Sequence, residues 1–129
     1  MAAIGARRFL LLGTENSDGT VTGVTATTAV SVPIDCLGWG ATKIFLRSVG
    51  TTSGGTIAIE EADWGPNEAP YSGTWSQVVT AINASSFSAG LQLATIVPLS
   101  ASRYIRVRVA TTITGGGTIL ASLVQQEAA

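Results

Sequence analysis

The chain has 129 residues, enough for one domain with a real core and too few for two independent cores. Hydrophobic residues make up 46% of it, charged residues only 12%, and the formal net charge is −1, which excludes a disordered protein because disorder requires low hydrophobicity and high net charge. Low charge is also typical of surfaces that become buried, so we expect the chain to form a homo-oligomer or to attach to a larger assembly.

The N-terminal part predicts one strand followed by a loop or an arm. Arg7 and Arg8 precede an apolar run that ends at Gly13, which is shorter than the apolar core of about 7–15 residues in an export signal. We therefore interpret residues 8–12 as a strand and residues 13–25 as a long loop or an extended arm, so that residues 1–25 belong to a single domain over residues 1–129. No run approaches the roughly 20 apolar residues that cross a bilayer, and we expect a soluble protein without membrane contact.

The rest of the chain predicts an all-β fold. Short runs rich in β-branched residues are separated by Gly, Asn, Pro and Ser, and helical periodicity is hard to find. Eight such runs suit an antiparallel, jelly-roll-like β-sandwich of two packed sheets. The predicted strands are residues 8–12, 27–34, 42–49, 56–62, 74–82, 91–97, 103–111 and 117–124.

Alternation along the strands predicts which side chains face the core. In the strand over residues 103–111, Arg106 and Arg108 lie on the face opposite the apolar residues. They would contact a charged partner or pair with glutamates on a neighbouring strand, whereas the net charge of −1 gives no general attraction to nucleic acid. The predicted core-facing residues are Ile57, Ile59, Ile105, Val107 and Val109, together with Val30, Val32 and Ile34.

Glycine clusters and one longer loop mark the connections. Gly54 and Gly116 lie in clusters that predict two tight hairpins, each joining the strands on either side of it. Residues 63–73 contain two prolines and predict a loop, where binding residues tend to be found. Trp64, Asn67 and Tyr71 in this loop are the candidate contact residues.

The residues available for chemistry predict no enzyme, no cofactor and no metal. The chain has no histidine, which removes the commonest general base and zinc ligand. Cys36 is the only cysteine and is interpreted as a small buried hydrophobe, so no disulfide forms within the chain. The cluster Glu60, Glu61, Asp63 and Glu68 lacks the spacing of a calcium loop, and we interpret it as a solvated strand end. Each of Trp39, Trp64 and Trp75 is either a core lid or a binding platform.

Four segments of the second half carry a resemblance to a known class of proteins. They are Gly-Thr-Ile-Ala-Ile-Glu-Glu-Ala-Asp at residues 55–63, Gly-Thr-Trp-Ser at 73–76, Arg-Tyr-Ile-Arg-Val-Arg-Val at 103–109 and Gly-Gly-Thr-Ile at 116–119. This pattern resembles the small β-sandwich structural proteins of tailed bacteriophages. The resemblance implies a virion component made in the host cytoplasm, and we favour a head decoration or cement protein. It would form a homotrimer whose N-terminal segment or 63–73 loop contacts the major capsid protein or another virion protein.

The same pattern is similar to discoidin-type modules, which leaves a carbohydrate-binding module as an alternative. That resemblance implies that Trp64 or Trp75 stacks on a sugar, with Glu60, Glu61 or Arg106 providing hydrogen bonds. The usual pair of terminal cysteines of that family is absent. A phage tail or fibre subunit is a third possibility that the sequence does not separate from the first.

Overall fold

Strands are the main regular elements of the residues that the structure describes. The structure, a computed structural model, describes residues 5–62, 74–97 and 104–127. Within them, one short 3₁₀ segment over Ala84–Gly90 accompanies the strands, which confirms the all-β prediction. The strands are β1 (Ala6–Leu12), β2 (Thr14–Glu15), β3 (Val21–Thr22), β4 (Ile34–Asp35), β5 (Trp39–Val49), β6 (Gly54–Ala62), β7 (Ser76–Gln77), β8 (Ile82–Asn83), β9 (Gln92–Val97), β10 (Tyr104–Thr114) and β11 (Thr118–Glu127).

Nine of the described strands form two antiparallel sheets with the strand order of a jelly roll, and β2 and β3 form a separate two-stranded sheet. The first sheet has the order β1-β11-β5-β9, and the second has the order β4-β10-β6-β7, with β8 also paired to β6. The chain changes sheet from each long strand to the next: β5 lies in the first sheet, β6 in the second, β9 in the first, β10 in the second and β11 in the first. A jelly roll has this alternation over eight strand positions, of which β7 and β8 share one. The predicted sandwich is therefore confirmed.

The core lies between the sheets, and period-2 alternation decides which residues enter it. On β10 the predicted faces are correct, because Val107 and Val109 are fully buried while Arg106 and Arg108 keep part of their surface. Partners from β6 oppose them, with Val107 beside Ile59 in register. The largest fully buried apolar side chains of the described residues are Phe87, Ile44, Leu46, Ile57, Ile59, Ile119, Leu123, Val97, Val107 and Val109.

The 3₁₀ segment closes one side of the sandwich through buried hydroxyl groups. Phe87 from this segment has no exposed surface. The Ser48 hydroxyl donates to the Phe87 carbonyl at 2.8 Å, and the Thr52 hydroxyl donates to the Ala84 carbonyl at 2.8 Å. Ser48 and Thr52 are each 2% exposed, so these bonds satisfy carbonyl groups that would otherwise be buried without a partner.

Both predicted hairpins are wrong. The strands on either side of Gly54, β5 and β6, lie in different sheets, and so do β10 and β11 on either side of the second glycine cluster. The two glycine turns instead cross the same end of the sandwich and bond to each other, with Gly117 N–H donating to Thr51 C=O at 2.7 Å and Ser53 N–H to Thr114 C=O at 2.9 Å. The prediction failed because a tight glycine turn between two strands with one apolar face each is compatible both with a hairpin and with a connection between two sheets.

The predicted strand over residues 27–34 is also wrong in extent, and its predicted phase is wrong at Val30 and Val32, whereas Ile34 lies in the core as predicted. Only β4 is regular there, with one isolated bridge between Val30 and Arg108. Ser31 is 5% exposed, and its hydroxyl accepts the Val107 N–H at 2.9 Å, whereas Val30 and Val32 are 43% and 74% exposed. Strict alternation is broken between Ser31 and Ile34, which are both buried. The serine takes the inner position because its hydroxyl and its backbone N–H both bond to the backbone of Val107 on β10. The predicted strand over residues 74–82 is likewise reduced to β7 and β8.

Residues 13–25, predicted as a loop or an arm, contain a small hairpin that lies against the first sheet. Strands β2 and β3 pair with each other, and Val24 exchanges two backbone hydrogen bonds with Ile119. Gly13 has a φ of +105°, and a Cβ there would meet Leu120 at 2.8 Å. The hairpin therefore packs closely over Leu120, which is 2% exposed although it points away from the core.

Candidate functional site

Arg106 and Arg108, the predicted contact residues of the strand over 103–111, converge on one carboxylate. Glu60 on β6 accepts a hydrogen bond from Arg106 Nε through Oε1 at 2.9 Å, and its Oε2 forms an ion pair with Arg108 Nε at 2.9 Å. The Glu60 side chain is 8% exposed, and those of Arg106 and Arg108 are 24% and 35% exposed. Register explains the arrangement, because Arg106 lies directly opposite Glu60 and Arg108 is two residues farther along the same face. The cross-strand pairing with a glutamate is therefore present, and contact of these arginines with a partner stays a prediction.

Trp75 completes this cluster from the segment before β7. The Arg106 guanidinium lies 4.4 Å from the centre of a Trp75 ring, within the range of a cation–π interaction. Trp75 is 7% exposed and packs with Ala62 and Tyr104. The ring is therefore covered, as the core-lid interpretation expected, and it does not present a free face to a sugar.

The other predicted site residues fall largely outside the described residues. Trp64, Asn67 and Tyr71 lie in the 63–73 loop, and their role stays a prediction. Of the acidic cluster, Asp63 and Glu68 lie there too, while Glu61 faces the opposite side of β6 from Glu60, opposite Ile105. The interpretation of this cluster as a solvated strand end is wrong for Glu60, which is 6% exposed because it is covered by the two arginines of β10. In residues 5–62, 74–97 and 104–127, no group of three or more His, Cys, Asp or Glu side chains comes together as a metal site would require.

A second charged surface, which the sequence reasoning did not identify, covers the outside of the first sheet. Arg8 on β1 and Lys43 and Arg47 on β5 are exposed there. Phe45 lies between Lys43 and Arg47 on the same face of β5. It is half-buried and pairs with Ser122 of β11. We call this surface, defined by Arg8, Lys43, Phe45 and Arg47, the basic face. Among the described residues, none of its three cations has an ion-pair partner.

A groove crosses part of the basic face under the β2–β3 hairpin. It encloses about 360 Å³. The hairpin places Glu15 at its rim, and the tip of the hairpin is fixed by Asp18, whose carboxylate accepts from the Thr20 hydroxyl at 2.6 Å and from the Thr20 N–H at 3.0 Å. These bonds lower the pKa of Asp18. The polar side chains of the groove are Arg8, Glu15, Arg47, Gln92 and Ser122, and its aromatic side chains are Phe9 and Phe45.

One edge of the second sheet is mostly apolar, and Asp35 of the edge strand β4 is the only charged residue between positions 19 and 37 of the sequence. Residues 19–34 contain no charged side chain, and this segment runs beside β10 with Val30 and Val32 exposed. Leu37, in the turn after β4, is 71% exposed. We call the surface defined by Val30, Val32 and Leu37 the apolar edge. Natural edge strands usually carry several charges that discourage association, so an edge with one charged residue and three exposed apolar side chains favours contact with another molecule.

The end of the sandwich next to this edge is closed by Arg7. Its guanidinium lies 4.1 Å from the centre of a Trp39 ring and donates to Gln125 Oε1 at 2.8 Å and to the Asp35 carbonyl at 2.6 Å. The bond to Asp35 joins β1 of the first sheet to β4 of the second. Cys36 beside it accepts from Gln125 Nε2 at 3.2 Å, and burial raises the pKa of its thiol. Arg7 and Trp39 thus have a structural role in the fold.

No protein-family model matches this chain, and no curated protein matches it. The surfaces themselves are therefore the basis for any functional argument, since a jelly roll is used for many unrelated functions. No helix among the described residues has the length and apolar character to span a membrane.

Proposed function

We propose that this protein is a non-enzymatic structural component of a virus particle, a decoration or cement protein that stabilises a phage head. The observation that carries the proposal is the apolar edge. In a chain of 129 residues with 12% charged residues, this sheet edge carries one charged residue, Asp35, and leaves Val32 74% exposed. Such a surface is stable in solution when another molecule covers it.

The apolar edge favours association through side chains. Burying a valine or leucine side chain is worth about 1.5–3 kcal/mol, so covering Val30, Val32 and Leu37 supplies several kcal/mol of association free energy. Pro33 removes one backbone donor from the same edge, which disfavours the addition of a further strand. We therefore expect an interface of packed side chains.

A trimer places this edge against a different surface of the neighbouring copy, because a threefold interface is heterologous. Three copies close into a ring and bury three such edges. Contact with the major capsid protein would then fall to other parts of the molecule, for which the N-terminal segment and the 63–73 loop remain the candidates. The compact, doubly layered core supplies the rigidity that a clamp between capsid subunits requires.

The test is co-sedimentation with purified phage heads, using two matched variants. Val32→Asp introduces a charge into the apolar edge, and Leu91→Asp introduces the same charge at a side chain of similar exposure beside β9, the opposite edge strand of the first sheet. We expect the wild type and Leu91→Asp to sediment with heads. Val32→Asp should stay in the supernatant, because a chain that no longer forms trimers binds heads through one set of contacts instead of three. The absence of wild-type protein from the head fraction, or equal binding of both variants, would contradict the proposal.

The two other functions considered make different predictions in the same experiment. A tail or fibre subunit would sediment with isolated tails and not with heads. A carbohydrate-binding module built on Trp75 is disfavoured by the burial of that ring under Arg106. A carbohydrate-binding module that uses Trp64 instead stays a prediction, because Trp64 lies outside the described residues.

A further inference from the structure

The groove on the basic face has a lining that the proposed virion role does not use. Its volume of about 360 Å³ lies within the range of small-ligand sites, about 300–1,000 Å³. Phe45 contributes an aromatic ring from β5, and the hairpin roof is held in place by the close packing of Gly13 on Leu120. The groove is thus a preformed concave surface on the four strands of the first sheet and a fixed hairpin.

The polar groups of the groove offer both donors and acceptors. Arg8 and Arg47 present guanidinium groups, which bind carboxylates with paired hydrogen bonds. Glu15 supplies an acceptor, and Gln92 and Ser122 each supply a donor and an acceptor. Neither arginine is bound to Glu15 or to another acid among the described residues. Their hydrogen-bonding capacity is therefore available to a ligand.

We propose that this groove binds an acidic oligosaccharide, one that carries sugar carboxylates. A sugar ring has a hydroxyl-rich rim, which matches mixed donors and acceptors, and an apolar C–H face, which matches Phe45. Two arginines against one glutamate give the groove a positive balance, which selects an acidic sugar over a neutral one. This site lies apart from the apolar edge and is independent of the virion proposal.

Two other anionic ligands fit less well. A nucleic acid requires a field that attracts many phosphates, and the chain has a net charge of −1. An acidic protein surface would engage all three cations of the basic face, including Lys43, which does not line this groove. Comparing the effects of substituting Arg47 and Lys43 on ligand binding therefore distinguishes a defined sugar site from general attraction between charges.

The test is isothermal titration calorimetry of the whole chain with tri-galacturonate, with maltotriose as the neutral comparison. Arg47→Gln and Lys43→Gln are matched variants, because both residues are exposed on the same face of β5 and only Arg47 lines the groove. We expect saturable binding of tri-galacturonate and none of maltotriose. Loss of the charged hydrogen bonds in Arg47→Gln should weaken binding by about tenfold to a hundredfold, while Lys43→Gln changes it by about twofold or less.

Phe45→Leu adds a check on the aromatic floor, since it keeps an apolar side chain at a half-buried position and removes the ring. We expect weaker tri-galacturonate binding with unchanged thermal unfolding. The proposal is overturned if the wild type does not bind tri-galacturonate saturably, if Arg47→Gln and Lys43→Gln weaken binding equally, or if maltotriose binds as well as the acidic sugar. Preferential binding of a poly-glutamate peptide would also overturn it and would assign the basic face to an acidic protein.

Discussion

The bridge from Glu60 to Arg106 and Arg108 gives a sharp prediction for stability. Glu60→Gln keeps the shape of the side chain and removes its charge. One amide oxygen still accepts from one arginine, but the amide NH₂ then faces the Nε donor of the other, at a position where the present N–O distance is 2.9 Å. The substitution therefore leaves two cations beside β6 without their counter-charge and one donor without an acceptor.

The expected cost follows from the burial of the three groups. Breaking a fully buried ion pair costs about 3–5 kcal/mol, and an exposed pair contributes less than about 1 kcal/mol. Glu60 is 8% exposed in its side chain, but Arg106 and Arg108 are 24% and 35% exposed and remain partly hydrated. We therefore expect Glu60→Gln to lower the free energy of unfolding by about 1.5–3 kcal/mol, which lowers the Tm by about 5–15 °C for a domain of this size.

Urea denaturation at pH 7 with tryptophan fluorescence measures this directly, because Trp75 lies on Arg106. Glu15→Gln is the control, since Glu15 is exposed and has no ion pair among the described residues, and it should change stability by less than about 0.5 kcal/mol. In the double variant with Arg108→Gln, the combined cost should be smaller than the sum of the single costs. A Glu60→Gln variant as stable as Glu15→Gln would refute this reasoning.

Three further predictions concern the fold. Thr52→Val leaves the buried Ala84 carbonyl without its donor and should cost about 1–2 kcal/mol in chemical denaturation; an unchanged midpoint would show that the hydroxyl is dispensable. Gly115→Ala should cost about 1–3 kcal/mol in the same assay, because the residue has a φ of +110° and a Cβ would lie 2.7 Å from Ser53 N. Burial raises the pKa of the Cys36 thiol, so at pH 8 iodoacetamide should alkylate the folded protein about tenfold or more slowly than the urea-unfolded chain, and equal rates would contradict this.

The sequence predicts the regular strands well because their side chains alternate strictly. In β10, apolar residues at every second position between Ile105 and Val109 identify the inner face, and the structure places them in the core. The same reasoning fails at Val30 and Val32, where alternation suggests an inner face but backbone bonding to β10 puts Ser31 inside. Alternation of apolar and polar residues indicates which face of a regular strand is buried, but it does not indicate where the backbone departs from regular strand geometry.

Strand partners and surfaces are harder to predict, because they depend on residues far apart in the chain. A glycine turn such as that at Gly115 suits a hairpin and a crossing between sheets equally, and only the packing of both sheets decides between them. The basic face is similar, since Arg8 and Arg47 meet only because β11 pairs with both β1 and β5. The spacing of Lys43, Phe45 and Arg47 on one strand was the one signal of this face in the sequence itself.

The proposed assembly of this jelly roll depends on the apolar edge formed by Val30, Val32 and Leu37. Sedimentation equilibrium of the purified wild-type chain over a range of concentrations tests it most directly. We expect the wild type to have three times the 13.1 kDa mass of one chain, and we expect Val32→Asp to lower the measured mass towards that of one chain. A wild-type protein that stays at 13.1 kDa at every concentration would contradict it.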